Sequence, residues 1–380
     1  MNIIKKQDGQ VFRLESYWNH HNDDSHMDSN GQKFPYPKNE TNWSGKDQFL
    51  ERLNVVNKEL LKQGNYREKK SIDCLLCNKK KVTMGDFSLN NTIWEDGLTH
   101  YIESHNTRPS SDFQELIYGF QTKNNNSRVL KVDGTLYKMD DLKYIKLDRN
   151  QIMIMDALMK HGGYKKKYID PKNKNLFRYS EHAGLIDFNN DTVEKIIISG
   201  RTNRVDQGDD EIYLPKNIPE AFDYEYIFHT HPPTPKPGGR VNIGILYEFP
   251  SISDIFHFID HYNDGNTQGS LVVTPEGLYN IRPLRFNKKK IKINEDSLYK
   301  NLSTLMHKLQ SDAITKHGND FSTHIFYSKI AQDLTFINSI NDLLKKYNLH
   351  IDFFPREKDY LGNWIIETLH LPIFVTEPIH

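Results

Sequence analysis

The spacing of hydrophobic residues divides the chain into segments with different predicted secondary structure. Residues 16–46 are polar and contain few aliphatic side chains, so we expect them to be irregular. Between Ser44 and Gly64, apolar side chains recur at the spacing of a helix that buries one face. These side chains are Phe49, Leu50, Leu53, Val56 and Leu60. The first regular element is therefore predicted to be a helix.

The middle of the chain is predicted to alternate between strands and helices. Residues 128–144 carry strand patterns on both sides of the turn pair Asp133-Gly134, which predicts a β-hairpin. A helix is predicted from Asp148 to Gly162 and Gly163, and another after Ser251. Further strand patterns lie at 176–188, 193–199, 224–231, 270–274 and 277–281. This order predicts an α/β or α+β fold in which a mixed β-sheet is flanked by helices.

The last section, from about residue 286, contains two amphipathic helix patterns. The first aligns Leu298, Leu302, Leu305 and Leu309, and the second aligns Ile330, Leu334, Ile337, Ile340 and Leu344. Residues 351–354 and 364–368 predict a closing pair of strands around Gly362. No catalytic motif occurs here, so the section is expected to be a supporting subdomain or a partner-binding surface.

Composition and charge narrow the classes of partner. At 380 residues the chain is long enough for two or three domains, and its formal net charge is zero. There is thus no general electrostatic reason to expect nucleic acid or an anionic membrane as a partner. No apolar signal segment and no run of about 20 apolar residues is present, so we expect a soluble, intracellular protein. Abundant Asn, Lys, Ile and Tyr suggest an AT-rich genome, such as that of a large DNA virus.

The two cysteines of the chain, Cys74 and Cys77, predict a metal site rather than a disulfide framework. They form a C-x-x-C pattern that is followed by His100 and His105 on a predicted short helix. Two thiolates and two imidazoles would complete a tetrahedral zinc site with no open position, which is the composition of a structural site. The alternatives are a reduced, buried C-x-x-C with two ordinary helix histidines, or a redox pair, for which the surrounding βαβ pattern is absent.

A second set of candidate ligands lies between residues 224 and 254. His229 and His231 end an aromatic, β-favouring run, and residues two apart on a strand point to the same side. Prolines end the strand, and after a Pro- and Gly-rich loop Asp254 falls in the first turn of a predicted helix. Ser251 and Asp254 also fit a helix N-cap with an acidic residue three positions later. Two imidazoles and one carboxylate could bind zinc and leave a position for water.

The combination of H-T-H-P at 229–232, S-x-x-D at 251–254 and an upstream glutamate resembles the JAMM/MPN metalloprotease family. The resemblance covers roughly 150–285. It implies that His229, His231 and Asp254 hold a catalytic zinc and that Ser251 helps to bind the tetrahedral intermediate. The best match for the family's glutamate, the general base, is Glu181.

Two departures from the family pattern leave alternatives open. Glu225 has the same strand parity as His229 and His231, so it rivals Glu181 for the role of the base. The stretch between the H-T-H-P and S-x-x-D motifs is longer than the family usually has. We interpret residues 234–249 as an inserted loop at the rim of the site.

The resemblance implies a zinc-dependent hydrolase of peptide or isopeptide bonds, with ubiquitin or a ubiquitin-like modifier as a candidate partner. One alternative is a non-catalytic MPN-type scaffold that binds partners. Another is a different zinc hydrolase, acting on a small amide. The predicted divisions of the chain are an irregular lead-in (1–45), an N-terminal helical module with a zinc-finger-like site (46–125), the JAMM/MPN-like domain (126–285) and a helical C-terminal subdomain (286–380).

Overall fold

The computed structural model divides the chain into two compact units, 1–143 with 375–380 and 144–374. We call them the first unit and the second unit. The structure describes residues 2–5, 9–18, 27–120, 128–132, 135–139, 143–162, 168–169, 177–189, 192–199, 203–205, 224–232, 237–264, 267–285, 290–318, 320–373 and 376–379. The predicted turn pair Asp133-Gly134, the stop at Gly163 and residues 234–236 of the predicted loop lie outside the described residues.

The first unit combines helices with a five-stranded sheet. The helices are α1 (Lys46–Lys62), α2 (Leu98–His105) and α3 (Ser111–Tyr118). The strands are β1 (Asn2–Lys5), β2 (Val11–Glu15), β3 (Tyr66–Ile72), β4 (Thr83–Leu89) and β5 (Thr92–Glu95), in the order β1-β2-β5-β4-β3. Helix α1 confirms the first predicted helix. The unit is less helical than we expected, because strands β3 and β4 carry too little apolar alternation to be recognised.

The core of the first unit is aromatic. Phe113 of α3 contacts Phe49 of α1 and Trp94 of β5 edge to face, and all three rings are buried. The indole N–H of Trp94 donates a hydrogen bond to Asn57 of α1 at 3.1 Å, so the polar atom of this buried ring is paired. Because α1 and α2 pack together, this core fixes the helix that carries His100 and His105.

A second, smaller sheet belongs to the same unit. Strands β6 (Arg128–Val132) and β7 (Thr135–Met139) form the predicted antiparallel hairpin. The terminal strand Thr376–Ile379 pairs with β7 on its other edge.

The second unit is built on an eight-stranded mixed sheet. Its strands are β8 (Lys143–Leu147), β11 (Ala183–Asn189), β12 (Thr192–Ile198), β14 (Tyr226–Thr230), β15 (Gly269–Val273), β16 (Gly277–Pro283), β17 (Leu349–Pro355) and β20 (Leu369–Ile373). Their order is β17-β16-β15-β14-β11-β12-β8-β20. Short strands β9 (Tyr168–Ile169), β10 (Phe177–Ser180) and β13 (Asn203–Val205) form a separate sheet. Strand β14 lies at the centre, antiparallel to β11 and parallel to β15.

Helices pack against this sheet, and the predicted mixed sheet flanked by helices is confirmed. They are α4 (Arg149–Gly162), α5 (Ile252–Asp264), α6 (Glu295–His317), α7 (Thr323–Ile325), which continues as a π-helix over Phe326–Ile330, and α8 (Thr335–Leu344). Helix α4 contacts β14 and β15, α5 contacts β15 and β16, and α8 contacts β17. A continuous apolar core joins α5, α6 and α8 to the sheet. No helix among the described residues is long and apolar enough to cross a membrane.

The C-terminal section, up to residue 374, belongs to the second unit. The predicted helices exist as α6 and α8. The predicted strand pair was wrong in its partners: β17 pairs with β16, with Ile351 opposite Ile281. The hairpin around Gly362 is instead made by β18 (Glu357–Lys358) and β19 (Trp364–Ile365). The sequence pattern identifies a strand but not the strand that pairs with it. The partner of β17 is the apolar strand β16, which lies much earlier in the chain.

A buried ion pair ties α4 to the turn between β15 and β16. Arg356, only 1% exposed, donates to the carboxylate of Asp156 at 2.5 Å and to the carbonyl oxygens of Thr274 and Pro275 at 2.9 and 2.6 Å. Lys160 lies 2.7 Å from the other carboxylate oxygen. Burial raises the pKa of Asp156, but Arg356 and Lys160 outweigh it, and the net pKa is below the ordinary value.

The substitution Asp156→Ala should therefore destabilise the second unit by about 3–5 kcal/mol, because it leaves a buried guanidinium without a counter-charge. Urea unfolding at neutral pH measures this. Since the folded pKa lies below the unfolded one, the carboxylate's contribution is complete above about pH 4 and is lost as pH falls through the folded value. The difference between wild type and variant should accordingly shrink in acid.

Asp264→Ala is the matched control, because it removes a pair with Lys290 in which both side chains are exposed. It should change stability by less than about 1 kcal/mol. Equal urea-unfolding midpoints for Asp156→Ala and Asp264→Ala would contradict a stabilising role for the buried ion pair.

Candidate metal centres

The first centre begins with a closed turn that carries both cysteines. The N–H of Cys74 donates to the carbonyl of Lys79 at 2.8 Å, and the N–H of Asn78 donates to the carbonyl of Cys74 at 3.2 Å. The N–H of Leu76 points at the sulfur of Cys74, 3.4 Å away. Asn78 adopts a positive φ of 58°, which an asparagine tolerates. The turn therefore holds the two sulfur atoms close together.

Helix α2 supplies the two histidines of this centre. The sulfur of Cys74 lies 3.3 Å from Nε2 of His105, and that of Cys77 lies 3.3 Å from Nε2 of His100. All four ligand atoms lie within 4.8 Å of one another, so the structure brings together the four residues that the sequence predicted and forms a cluster that could hold a metal ion. Cys77 is exposed, while the other three are buried.

Outer contacts orient both imidazoles of the first centre. Nδ1 of His105 donates to the side-chain oxygen of Asn39 at 2.7 Å, and Nδ1 of His100 lies 3.3 Å from the hydroxyl of Ser104. A proton on Nδ1 leaves the lone pair of Nε2 facing the thiols. Burial lowers the pKa of both histidines, which favours the neutral form that binds metal.

The second centre lies where β14 ends and α5 begins. Nε2 of His229 and Nε2 of His231 are 3.1 Å apart. The carboxylate of Asp254 places one oxygen 3.2 Å from Nε2 of His229 and the other 3.4 Å from Nε2 of His231. His229 and Asp254 are 1% and 3% exposed. The three predicted ligands thus form a second cluster that could hold a metal ion.

Asp254 also caps α5, as the alternative interpretation of its sequence predicted. Its carboxylate accepts the N–H of Ser251 at 2.6 Å, while the hydroxyl of Ser251 accepts the N–H of Asp254 at 3.2 Å. This reciprocal pair is a capping box. The helix cap and the ligand role are compatible, because the cap fixes the carboxylate where it faces both imidazoles.

The pKa values of the second centre reflect this arrangement. Burial raises the pKa of Asp254, but His229 and His231 outweigh it and hold the pKa well below its ordinary value. Burial lowers the pKa of His231, but Asp254 and the charge of Glu181 outweigh it and raise the pKa to about 9. The carboxylate is therefore ionised, as a metal ligand must be.

Glu181 lies on the ligand side of the sheet. Ala183 of β11 pairs with His229, and the N–H of Thr230 donates to the carbonyl of His182 at 2.9 Å. Continued by two residues, this register puts Glu181 opposite His231 and on the same side of the sheet, and the charge of Glu181 contributes to the raised pKa of His231. Glu181 is 9% exposed.

Glu225 lies at the other end of β14. It lies four positions before His229, which is about 13 Å along a strand. Its carboxylate accepts the N–H of Phe188 at 3.1 Å, and burial raises its pKa to about 7. Strand parity alone made Glu225 a rival of Glu181, but the register places Glu181 at the histidine end.

Sequence reasoning missed the group that orients His231. The Nδ1–H of His231 donates to the backbone carbonyl of Glu248 at 2.8 Å. Glu248 belongs to the loop predicted at 234–249, whose described part, from residue 237, contains a 3₁₀ turn at Val241–Ile243. A backbone acceptor leaves no residue-type signal in a sequence, so it could not have been found there.

We expect two metal ions per chain, because the two clusters use separate residues. His229→Ala and Cys74→Ser should each lose one ion and keep the other, as measured by elemental analysis of purified protein. Cys74→Ser should also lower the melting temperature, since a four-ligand metal site contributes folding free energy.

His307→Ala is a suitable control, because His307 is exposed on α6 and lies in neither cluster. It should retain both ions. A single ion in wild type, lost only with Cys74→Ser, would contradict the second centre.

Comparison with known proteins gives a relationship but no activity. No family model and no solved structure matches the chain. The chain is 32% identical over 306 residues to "Uncharacterized protein R413" of Acanthamoeba polyphaga mimivirus, which covers 79% of this chain and 84% of that protein. The aligned length is greater than that of the second unit, so the likeness extends into the first unit as well. The chain belongs to the same family as this mimivirus protein.

Proposed function

We propose that the second unit is a zinc-dependent hydrolase of peptide or isopeptide bonds, of the JAMM/MPN metalloprotease type. The observation that carries the proposal is the cluster of His229, His231 and Asp254, in which the charge of Glu181 acts on His231. A helix cap alone would explain Asp254, but it would not explain two imidazoles aimed at the same carboxylate.

The donor set fits zinc. Two ligand atoms bound to zinc at about 2.0–2.1 Å in a tetrahedron lie about 3.3–3.4 Å apart. In the second centre the two imidazole nitrogens are 3.1 Å apart, and they lie 3.2 and 3.4 Å from different oxygens of the Asp254 carboxylate. Three protein ligands leave one tetrahedral position for water or substrate. A zinc ion held there would lower the pKa of a bound water to about 7 and polarise a carbonyl group.

Glu181 is the proposed general base. Its carboxylate accepts a proton from the attacking water and returns it to the nitrogen of the leaving amine when the carbon–nitrogen bond breaks. Its burial and its place opposite His231 support this role. Glu225 is too far along the strand to reach the same proton.

Ser251 is the proposed donor to the oxyanion that forms on the substrate carbonyl. Its oxygen accepts the N–H of Asp254, and this acceptor role leaves the hydroxyl proton available for donation. The hydroxyl of Ser253 lies 2.8 Å from that of Ser251. It can therefore accept the hydrogen bond of the Ser251 hydroxyl when substrate is absent.

The first unit is proposed to carry a structural zinc in a zinc-finger-like turn and helix. Cys74, Cys77, His100 and His105 supply four ligands, which leaves no position for water. The proposed substrate class is ubiquitin or a ubiquitin-like modifier joined to lysine, which rests on the JAMM/MPN resemblance.

Glu181→Gln should keep the metal and the fold but lower turnover by about 10²–10⁴-fold, because it removes the proton acceptor alone. The assay is cleavage of lysine-linked ubiquitin dimers by zinc-loaded protein, with metal content measured on the same samples. Glu225→Gln is the matched control on the same sheet and should retain wild-type turnover.

The opposite result would overturn the assignment of the general base: turnover lost in Glu225→Gln and retained in Glu181→Gln. Wild-type protein with two zinc ions that cleaves no isopeptide or peptide substrate would favour the non-catalytic scaffold instead.

A further inference from the structure

We propose that Gln310 is a positioning residue for the ligand His231, acting from α6 through the backbone of residues 246–248. This rests on the proposed function, since it concerns the same metal centre. Gln310 lies far along the chain from the ligands and carries no motif. Its contacts connect the C-terminal helices to the orientation of one imidazole.

The first link is the carbonyl of Glu248. It accepts the Nδ1–H of His231 at 2.8 Å, so it fixes both the tautomer and the tilt of the ring. A shift of this carbonyl would turn Nε2 away from His229 and Asp254. The orientation of His231 is therefore only as definite as the position of the backbone at Glu248.

The second link is the amide of Gln310, which holds that backbone. Its Oε1 accepts the N–H groups of Leu246 and Tyr247 at 2.9 and 3.1 Å, and its Nε2 donates to the carbonyl of Tyr247 at 2.8 Å. All three hydrogen bonds are buried, and Gln310 is 9% exposed. Residues 245–250 belong to no helix or strand, so a side chain supplies the bonds that a sheet would otherwise provide.

The third link is the ring of Tyr247, which neighbours Glu248. Its hydroxyl donates to the carbonyl of Ile330 at 3.2 Å, and its ring stacks on Phe336 of α8 at 4.3 Å between centroids. Tyr247 is 2% exposed. Its side chain and its backbone are thus both held by the C-terminal helical section.

The test is the zinc affinity of the second centre, measured by competition with a chelator on full-length protein. Gln310→Met keeps the length of the side chain but removes the three hydrogen bonds. We expect it to weaken zinc binding at the second centre by about 10–100-fold, the range for loss of an outer contact to a ligand. The first centre should be unaffected. Each centre should give its own zinc-binding step in the competition experiment. The step that is missing in His229→Ala is the one that belongs to the second centre.

Asn341→Leu is the matched control. Asn341, on α8, clamps Ile351 in the same manner, accepting its N–H at 2.7 Å and donating to its carbonyl at 2.8 Å. That clamp leads to β17 and not to a ligand. It should lower stability as Gln310→Met does, but leave zinc affinity unchanged.

Wild-type affinity in folded Gln310→Met would overturn the positioning role, as would equal weakening by Asn341→Leu. If Gln310→Met does not fold, Gln310→Glu replaces it. Its ionised carboxylate cannot donate to Tyr247, so weaker zinc binding at pH 8 is expected, and unchanged binding would overturn the proposal. Failure of wild type to bind zinc at the second centre would instead overturn the proposed function itself.

Discussion

The second unit depends on where the carboxylate of Asp254 is held. Its oxygens accept the N–H of Ser251 and face the imidazoles of His229 and His231. A buried anion is costly unless it is hydrogen-bonded and paired, and here the start of α5 and the end of β14 meet both needs. The junction of strand and helix is therefore shaped by one charge. The same contacts bring the three candidate ligands together.

The ligands within each close pair were predictable because their spacing is local, whereas Asp254 was expected from the S-x-x-D motif that follows H-T-H-P. Residues 229 and 231 share a side on any strand, and Cys74 and Cys77 share a turn whatever surrounds them. The choice between Glu181 and Glu225 was different. Both fit the parity rule, and only the register of β11 against β14 separates them. Register depends on contacts between distant segments, which a pattern read along one strand does not contain.

The same limit explains the missed parts of the fold. Strand β3 is polar and mostly exposed, so it lacks the alternation that marks a strand. Strand β17 was recognised, but its pairing with β16 joins residues some seventy positions apart. Gln310 has no signal at all, because a buried glutamine on an amphipathic helix reads as a surface residue. Sequence patterns thus predicted the types of element and the sets of candidate ligands. Which strands and side chains contact each other could be found only from the structure.

The two candidate centres share one solution to the problem of orienting an imidazole. Asn39 accepts from Nδ1 of His105, and the carbonyl of Glu248 accepts from Nδ1 of His231. In each case the acceptor is a neutral oxygen. It therefore sets the tautomer of the imidazole without adding a negative charge that would attract the Nδ1 proton. The net charge of each centre is then left to the thiols or to Asp254. At the second centre this neutral acceptor is a loop backbone atom, and α6 and α8 contact that loop through hydrogen bonds and ring stacking. The candidate ligands end at Asp254, but the contacts that hold the loop beside His231 extend to Phe336.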